Sequence, residues 1–406
     1  MARLLLALIF SLIAIGIVRA HRVPITILET AVAKGAVCLD GSPPAYAHSP
    51  GYGDGIDNWS VYIQGGAWCQ NVDECLARTR TIYGSSTVTF KGFAGKKNFD
   101  GLYEDNSAVN PDFYNWNTVH IFYCDGSSFM SDVDKVDPAV NLTYRGARIY
   151  NAVMDELLRL GMGNAKNALL SGGSAGGLAT ILHCDKFKTL FADTTRVKCL
   201  SDSGFFIHGE HFVGADWREN IFSNVISTHG LTNLLPASCT SKVNPNLCLF
   251  PEYLVQDVKT PLFLIESSFD QYQIANHVFR DVTPRWHDCT SDLTLCNSNE
   301  ITTMKDFRNT FLSTFTNTVA DSSSRIGYFV HTCYIHGHIF DKAFSTCSAS
   351  VGHNVLDNKS IAQAVGDWYF DRSEFEHMDI FNDLPRNCSF TDWPTLLEMC
   401  MAHEKS

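Results

Sequence analysis

Charge is the first scarcity in this sequence. Only 18% of its 406 residues are Asp, Glu, Lys or Arg, against ~25% in ordinary globular chains, while 45% are hydrophobic and 12% aromatic. That balance excludes a disordered, collagenous or coiled-coil chain. Basic residues are the scarcer sign, 31 Lys plus Arg against 43 Asp plus Glu. The resulting formal charge of −12 argues against nucleic-acid binding, which needs clustered cations to neutralise phosphates. Internal repeats, low-complexity tracts and Pro- or Ser-rich linkers are also missing. Nothing divides the chain, so a single folded domain is expected over residues 21–406. Beyond residue 20 no apolar run approaches the ~20 residues needed to span a bilayer.

Cysteine, by contrast, is abundant, with fourteen in one chain. The N-terminus explains why. Met1-Ala2-Arg3 is a short basic start, Leu4 to Val18 is apolar or small, and Val18-Arg19-Ala20 puts small residues where a signal peptidase reads. The run is short for an anchor, so residues 1–20 are expected to be a cleaved signal peptide. Its removal takes Arg3 and Arg19 and moves the formal charge from −12 to −14. A secreted chain meets an oxidising compartment, where cysteines pair in preference to binding metal or acting in catalysis. Cys69 with Cys75, Cys239 with Cys248, and Cys289 with Cys296 are spaced as local loop staples, although spacing alone does not fix connectivity. Sequons at Asn58, Asn141, Asn358 and Asn387 fit the same route and mark surface loops if glycosylated.

Short β-rich runs alternate with helical patterns. Residues 60–64, 118–124, 167–171, 197–201, 262–265 and 327–331 read as strands. Ile149, Val153, Leu157 and Leu160 recur at helical spacing and stop at Gly161-Met162-Gly163; Ile361, Ala364, Val365 and Trp368 repeat the pattern later. Alternation of this kind implies parallel pairing and a three-layer α/β sandwich. Residues 205–255 fit no strand–helix unit and read as an insertion that roofs a pocket.

The sharpest chemical signal is Gly172-Gly173-Ser174-Ala175-Gly176, a G-x-S-x-G with a strand before it and helix character in Leu178 to Cys184 after it. A nucleophile elbow needs that context: small neighbours permit a strained turn that lifts the Ser hydroxyl clear of the sheet at a helix N-terminus. Serine also needs a base to take its proton and an acid to orient that base, in chain order Ser, acid, His. Asp270 follows the strand 262–265, and Asp202 follows 197–201. His336 and His338 both lie on the loop after 327–331, whereas His331 reads as packed, and His183 and His287 as helix-surface and loop residues. Spacing leaves the choice of acid and of base open. His336 and His338 also form an H-x-H, but oxidised cysteines and the lack of acidic ligands nearby disfavour zinc. For the oxyanion, the N–H of Ala175 and those of Gly66 or Ala67, on the Gly65-Gly66-Ala67-Trp68-Cys69 loop, are the candidates.

The segments Gly65–Val72, Asn110–Asn117, Tyr123–Phe129, Arg145–Arg148, Asn167–Leu178, Cys199–Phe206 and Ala364–Asp371 resemble those of plant pectin acetylesterases, in order, from about residue 25 to about 375. That family is related to the animal Notum-type carboxylesterases. The resemblance implies a secreted serine esterase of α/β-hydrolase fold that removes acetyl groups from pectin in the cell wall, without metal or organic cofactor. It implies Ser174 as nucleophile, Asp270 as acid and His336 as base, with oxyanion donors at Gly66, Ala67 and Ala175. Where relatives carry Cys directly before the nucleophile and directly after the catalytic His, this chain has Gly173 and Gly337, so a cysteine pair beside the site is expected to be lost. Gln64 stands where Glu is common, Ala67 where a third Gly is frequent, and the tail around Asp379 to Cys388 is altered. These departures bear on substrate preference more than on reaction type.

The substrate implied is a polyanion, which a body at −14 repels over a Debye length of about 10 Å, so a local basic strip is expected. Arg78, Arg80, Lys91, Lys96, Lys97, Arg145 and Arg148 are its candidates, although most would belong simply to a solvated face. Two other readings are a Notum-like carboxylesterase acting on longer acyl esters, and a catalytically impaired wall-binding homologue.

Overall fold

The computed structural model describes residues 21–136, 138–278, 284–320, 325–340, 344 and 355–388. The expected signal peptide, Cys347 and Cys400 lie outside these. Among the described residues, ten strands form one sheet: β1 (His21–Ile27), β2 (Ala45–Ser49), β3 (Asn58–Ile63), β4 (Lys96–Phe99), β5 (Asn117–Ile121), β6 (Asn167–Gly173), β7 (Arg196–Asp202), β8 (Leu262–Ser267), β9 (Ile326–His331) and β10 (Glu376–Met378). Their order is β10-β9-β8-β7-β6-β3-β5-β2-β1-β4. Pairing is parallel from β10 to β5 and antiparallel through β2, β1 and β4.

The six strands read from the sequence are the ones buried on both faces. Sheets covered on both sides need apolar residues at every position, and continuous β-branched and aromatic runs are easy to recognise. Alternate residues serve two separate cores. Val61, Ile63, Leu170, Leu262, Leu264 and Val330 pack under the helices Gly146–Arg159 and Ala175–Lys188, while Tyr62, Leu169, Leu200, Phe263, Ile265 and Phe329 pack with the helix Ile361–Tyr369. The result is the expected three-layer α/β sandwich with a mostly parallel sheet. The sequence reading passed over β1, β2, β4 and β10. Of these, β1 holds Pro24, divides its pairing between β4 and β2, and buries only alternate residues, so its pattern is weak.

Six disulfides join Cys38 to Cys124, Cys69 to Cys75, Cys184 to Cys199, Cys239 to Cys248, Cys289 to Cys296 and Cys333 to Cys388. The three local staples are among them; the other three span 86, 15 and 55 residues. Residues 205–255 fold into the helix Ala215–Thr228, a turn of helix at Ala237–Thr240 and short 3-10 turns. This segment contributes Phe206, Phe222 and Phe250 to the core and lays Phe206 and Phe222 edge-on against Trp68, with ring centroids 5.0 and 4.9 Å away. Asn141, Asn358 and Asn387 are exposed, whereas Asn58 is half-buried at the start of β3 with its Oδ1 accepting from Asn167. No helix among the described residues is long and apolar enough to cross a membrane.

Candidate active site

Strand β6 ends at Gly173, and the chain reverses at once into the helix that begins at Ala175. Ser174 takes the turn with φ +57° and ψ −127°, a left-handed conformation that L side chains adopt only when their surroundings enforce it. Glycine on either side makes the turn possible. A Cβ on Gly172 would lie 2.1 Å from the Gly176 carbonyl oxygen, and one on Gly176 would lie 2.1 Å from that of Ile63.

Three residues distant in sequence meet here. His336 Nε2 lies 2.8 Å from Ser174 Oγ, and His336 Nδ1 lies 2.7 Å from Asp270 Oδ2. Asp270 is fully buried and caps the helix Gln271–His277, its Oδ1 accepting from the Gln273 N–H at 2.8 Å. With Asp270 accepting from Nδ1–H, the imidazole presents an unprotonated Nε2 to the hydroxyl. Burial opposes imidazolium most strongly, yet the charge and hydrogen bond of Asp270, with Asp202 behind it, outweigh burial and raise the His336 pKa above its ordinary 6.5.

The two competitors from the sequence are paired with each other. His338 Nδ1 lies 2.5 Å from Asp202 Oδ1, and His338 Nε2 lies 2.7 Å from His331 Nε2. All four ring nitrogens of His336 and His338 are therefore taken by protein partners, so the H-x-H is not splayed to share an ion. Two expectations are corrected: His183 is not on the helix surface but buried, stacked on Tyr150 at 4.1 Å with Nε2 bonded to the Phe129 carbonyl, because it is the inner face of its helix that carries it, and His287 lies not on a loop but exposed on the helix Pro284–Ser291.

The start of the loop after β3 lies against the elbow, where a Cβ on Gly65 would come within 2.9 Å of Ser174 Cβ and 3.1 Å of the Ala175 nitrogen. Ala175 is the first residue of its helix, where N–H groups have no intrahelical acceptor. Gly66 and Ala67 follow β3 with φ of +146° and +55°. The expected Cys69–Cys75 staple closes this loop; sequence reasoning missed the contacts that fix the rest of it. Trp68 Nε1 donates to Ser128 Oγ at 2.7 Å, and Ser128 Oγ donates to the Ala175 carbonyl at 2.8 Å, which ties the two sides together. Arg78 donates to the Gly66 carbonyl at 2.6 Å and to that of Tyr83 at 3.0 Å, and its guanidinium lies over the Tyr83 and Tyr123 rings. It was a candidate for the basic strip and instead holds the loop. Gln64 accepts from the Tyr123 N–H at 3.1 Å, a role its amide oxygen fills as a carboxylate would.

Other candidate cations are also engaged. Arg148 pairs with Asp132 and Asp134, Arg145 donates to loop carbonyls, and Lys97 sits over Phe93 and Phe340; Arg80, Lys91 and Lys96 are exposed. Gly173 and Gly337 face one corner: Gly173 is in register with Asp202, and the Gly337 N–H donates to Ser203 Oγ.

Comparison with known proteins matches the family model "Pectinacetylesterase" over residues 18–390. Pectin acetylesterases 11 and 7 of Arabidopsis thaliana are each 44% identical over 370 residues, 90% of this chain and 92% of theirs. A palmitoleoyl-protein carboxylesterase, notum1', of Xenopus laevis is 27% identical over 253 residues, 59% of this chain and 51% of its own. The solved structure of the Wnt deacylase Notum from Drosophila superposes with a TM-score of 0.71 at 20% identity, covering 92% of this chain and all of that one, a likeness of fold. On the family match and the extent of the plant alignments, this chain belongs to the pectin acetylesterase family of carboxylic ester hydrolases.

Proposed function

We propose that the chain is a secreted serine esterase that hydrolyses the acetyl esters of cell-wall pectin through Ser174, His336 and Asp270. The observation that carries the reading is the continuous pair of hydrogen bonds from Ser174 Oγ through His336 to Asp270. His336 takes the proton from Ser174 as Oγ attacks the acetyl carbonyl, and Asp270 stabilises the imidazolium so formed. The N–H groups of Gly66, Ala67 and Ala175 receive the developing oxyanion, each such donor being worth on the order of 10²–10³ in rate. The sugar hydroxyl leaves with the proton from His336. Water, activated by the same base, then frees acetate and restores Ser174. No step asks for a metal or an organic cofactor.

The aromatic side chains beside His336 support a short acyl group. Trp68, Phe206 and Phe222 are buried against one another, and Phe206 and Tyr272 lie 6.3 and 5.1 Å from the His336 ring, so this side of the nucleophile is filled by side chains. Secretion is supported by the leader sequence, by six disulfides and by plant relatives named for pectin. Acetate release from acetylated pectin, beside hydrolysis of p-nitrophenyl acetate and octanoate, tests the reading. Ser174→Ala is expected to lower kcat by on the order of a million-fold, as in serine hydrolases generally. Activity equal to wild type in that variant refutes the mechanism, and a strong preference for octanoate refutes the acetyl specificity in favour of a longer-chain esterase.

A further inference from the structure

We propose that Asp202, with Ser203 beside it, is a positioning residue that registers the nucleophile elbow against the loop carrying His336. The inference rests on the triad reading above. Asp202 ends β7, and its main-chain oxygen accepts the Ser174 N–H at 2.8 Å. Its side chain reaches the other way. Oδ2 accepts the N–H groups of His338 at 2.7 Å and Ile339 at 2.9 Å, and Oδ1 accepts from His338 Nδ1 at 2.5 Å. Ser203 Oγ accepts the Gly337 N–H at 2.9 Å, and the Ser203 N–H donates to Ile265 on β8, the strand that leads to Asp270. One dipeptide thus holds all three catalytic segments. Ser203 adopts φ +49° to do so.

The proton order along this buried chain has one solution. The Cys333 N–H donates to His331 Nδ1 at 3.0 Å, so His331 carries its proton on Nε2 and donates to His338 Nε2. His338 then keeps its own proton on Nδ1, facing Asp202. An amide at position 202 that turned its NH2 toward His338 would reverse both tautomers and set the Cys333 N–H against a protonated His331 Nδ1. Asp202 and His338 are 2% and 0% exposed, so water does not compete for these bonds. The titratable groups around Asp202 are His338, His336, Tyr62 on β3, Tyr103 and Glu266 on β8; those around His336 are Asp270, Asp202, Tyr272 and His277.

Asp202→Asn, His338→Leu and His338→Asn are compared on p-nitrophenyl acetate across pH, with rates expressed per active site titrated by a fluorophosphonate. Asp202→Asn is expected to lose about 10–100-fold in kcat, the scale of a misplaced catalytic group, with KM changed less than about 2-fold. The acid limb of kcat/KM is expected to move to lower pH, because one of the negative charges favouring imidazolium is gone. His338→Leu should fall as Asp202→Asn does, whereas His338→Asn, whose amide keeps a donor for Asp202, should recover most of the loss. An unmoved acid limb with wild-type kcat per titrated site in Asp202→Asn overturns the proposal. So does equal behaviour of His338→Leu and His338→Asn, which decides the matter if Asp202→Asn does not fold. An inactive Ser174→Ala beside wild-type behaviour of these variants sinks this inference alone; an active Ser174→Ala sinks the triad reading beneath it.

Discussion

At His336 two opposing effects meet, and which wins sets the working pH. Burial disfavours imidazolium, but Asp270 at 2.7 Å and the more distant Asp202 outweigh it, so the pKa lies above 6.5. The imidazole must be neutral to accept the Ser174 proton. Raising its pKa therefore moves the acid limb of kcat/KM above 6.5 and leaves activity intact on the alkaline side; a limb well below 6.5 on p-nitrophenyl acetate would contradict this. Asp270→Asn keeps the shape but withdraws the charge and the tautomer control, and a loss of about 10⁴ in kcat is expected. At this scale the sequence was informative about residue types and chain order. Spacing could not divide Asp202 from Asp270, or His338 from His336, because both pairs follow strand ends and both are real Asp–His pairs; the family resemblance alone chose between them. Which pair reaches Ser174 depends on where the loops after β7, β8 and β9 come together, and that is a long-range property.

In the proposed mechanism two elements present the hydroxyl and the oxyanion donors, the elbow between β6 and its helix and the loop after β3. The elbow was legible because glycine is required where neighbouring backbone comes within contact distance. The support of the loop was legible only in its Cys69–Cys75 staple; the rest comes from Arg78, Ser128 and Trp68, residues whose partners are fixed by folding. Arg78→Ala frees the Gly66 carbonyl from its donor and lets the loop relax. A fall of about 10–100-fold in kcat with little change in KM is expected, less than loss of a whole oxyanion donor. A raised KM with unchanged kcat would assign Arg78 to substrate binding instead. The central strands were readable for the same reason that they are stable, burial on both faces. The strands passed over carry weaker patterns because β4 and β10 are only four and three residues long and β1 buries only alternate residues.

For the molecule as a whole, net charge and the charge of the proposed substrate share a sign. Pectin is expected to be held off at low ionic strength, so KM on acetylated pectin should fall as salt rises toward 0.15 M, where the Debye length is about 8 Å, while KM on neutral p-nitrophenyl acetate stays level. Equal salt dependence of both substrates would argue against long-range repulsion. Composition alone carried this expectation, whereas the fate of the individual basic residues needed the fold, which spends Arg145 and Arg148 on loop carbonyls and carboxylates. The most direct test of the central claim is covalent. Incubation with a fluorophosphonate followed by peptide mass spectrometry should find one adduct, on Ser174, absent when His336 is replaced by alanine. An adduct on another residue, or undiminished labelling of Ser174→Ala, would contradict the account.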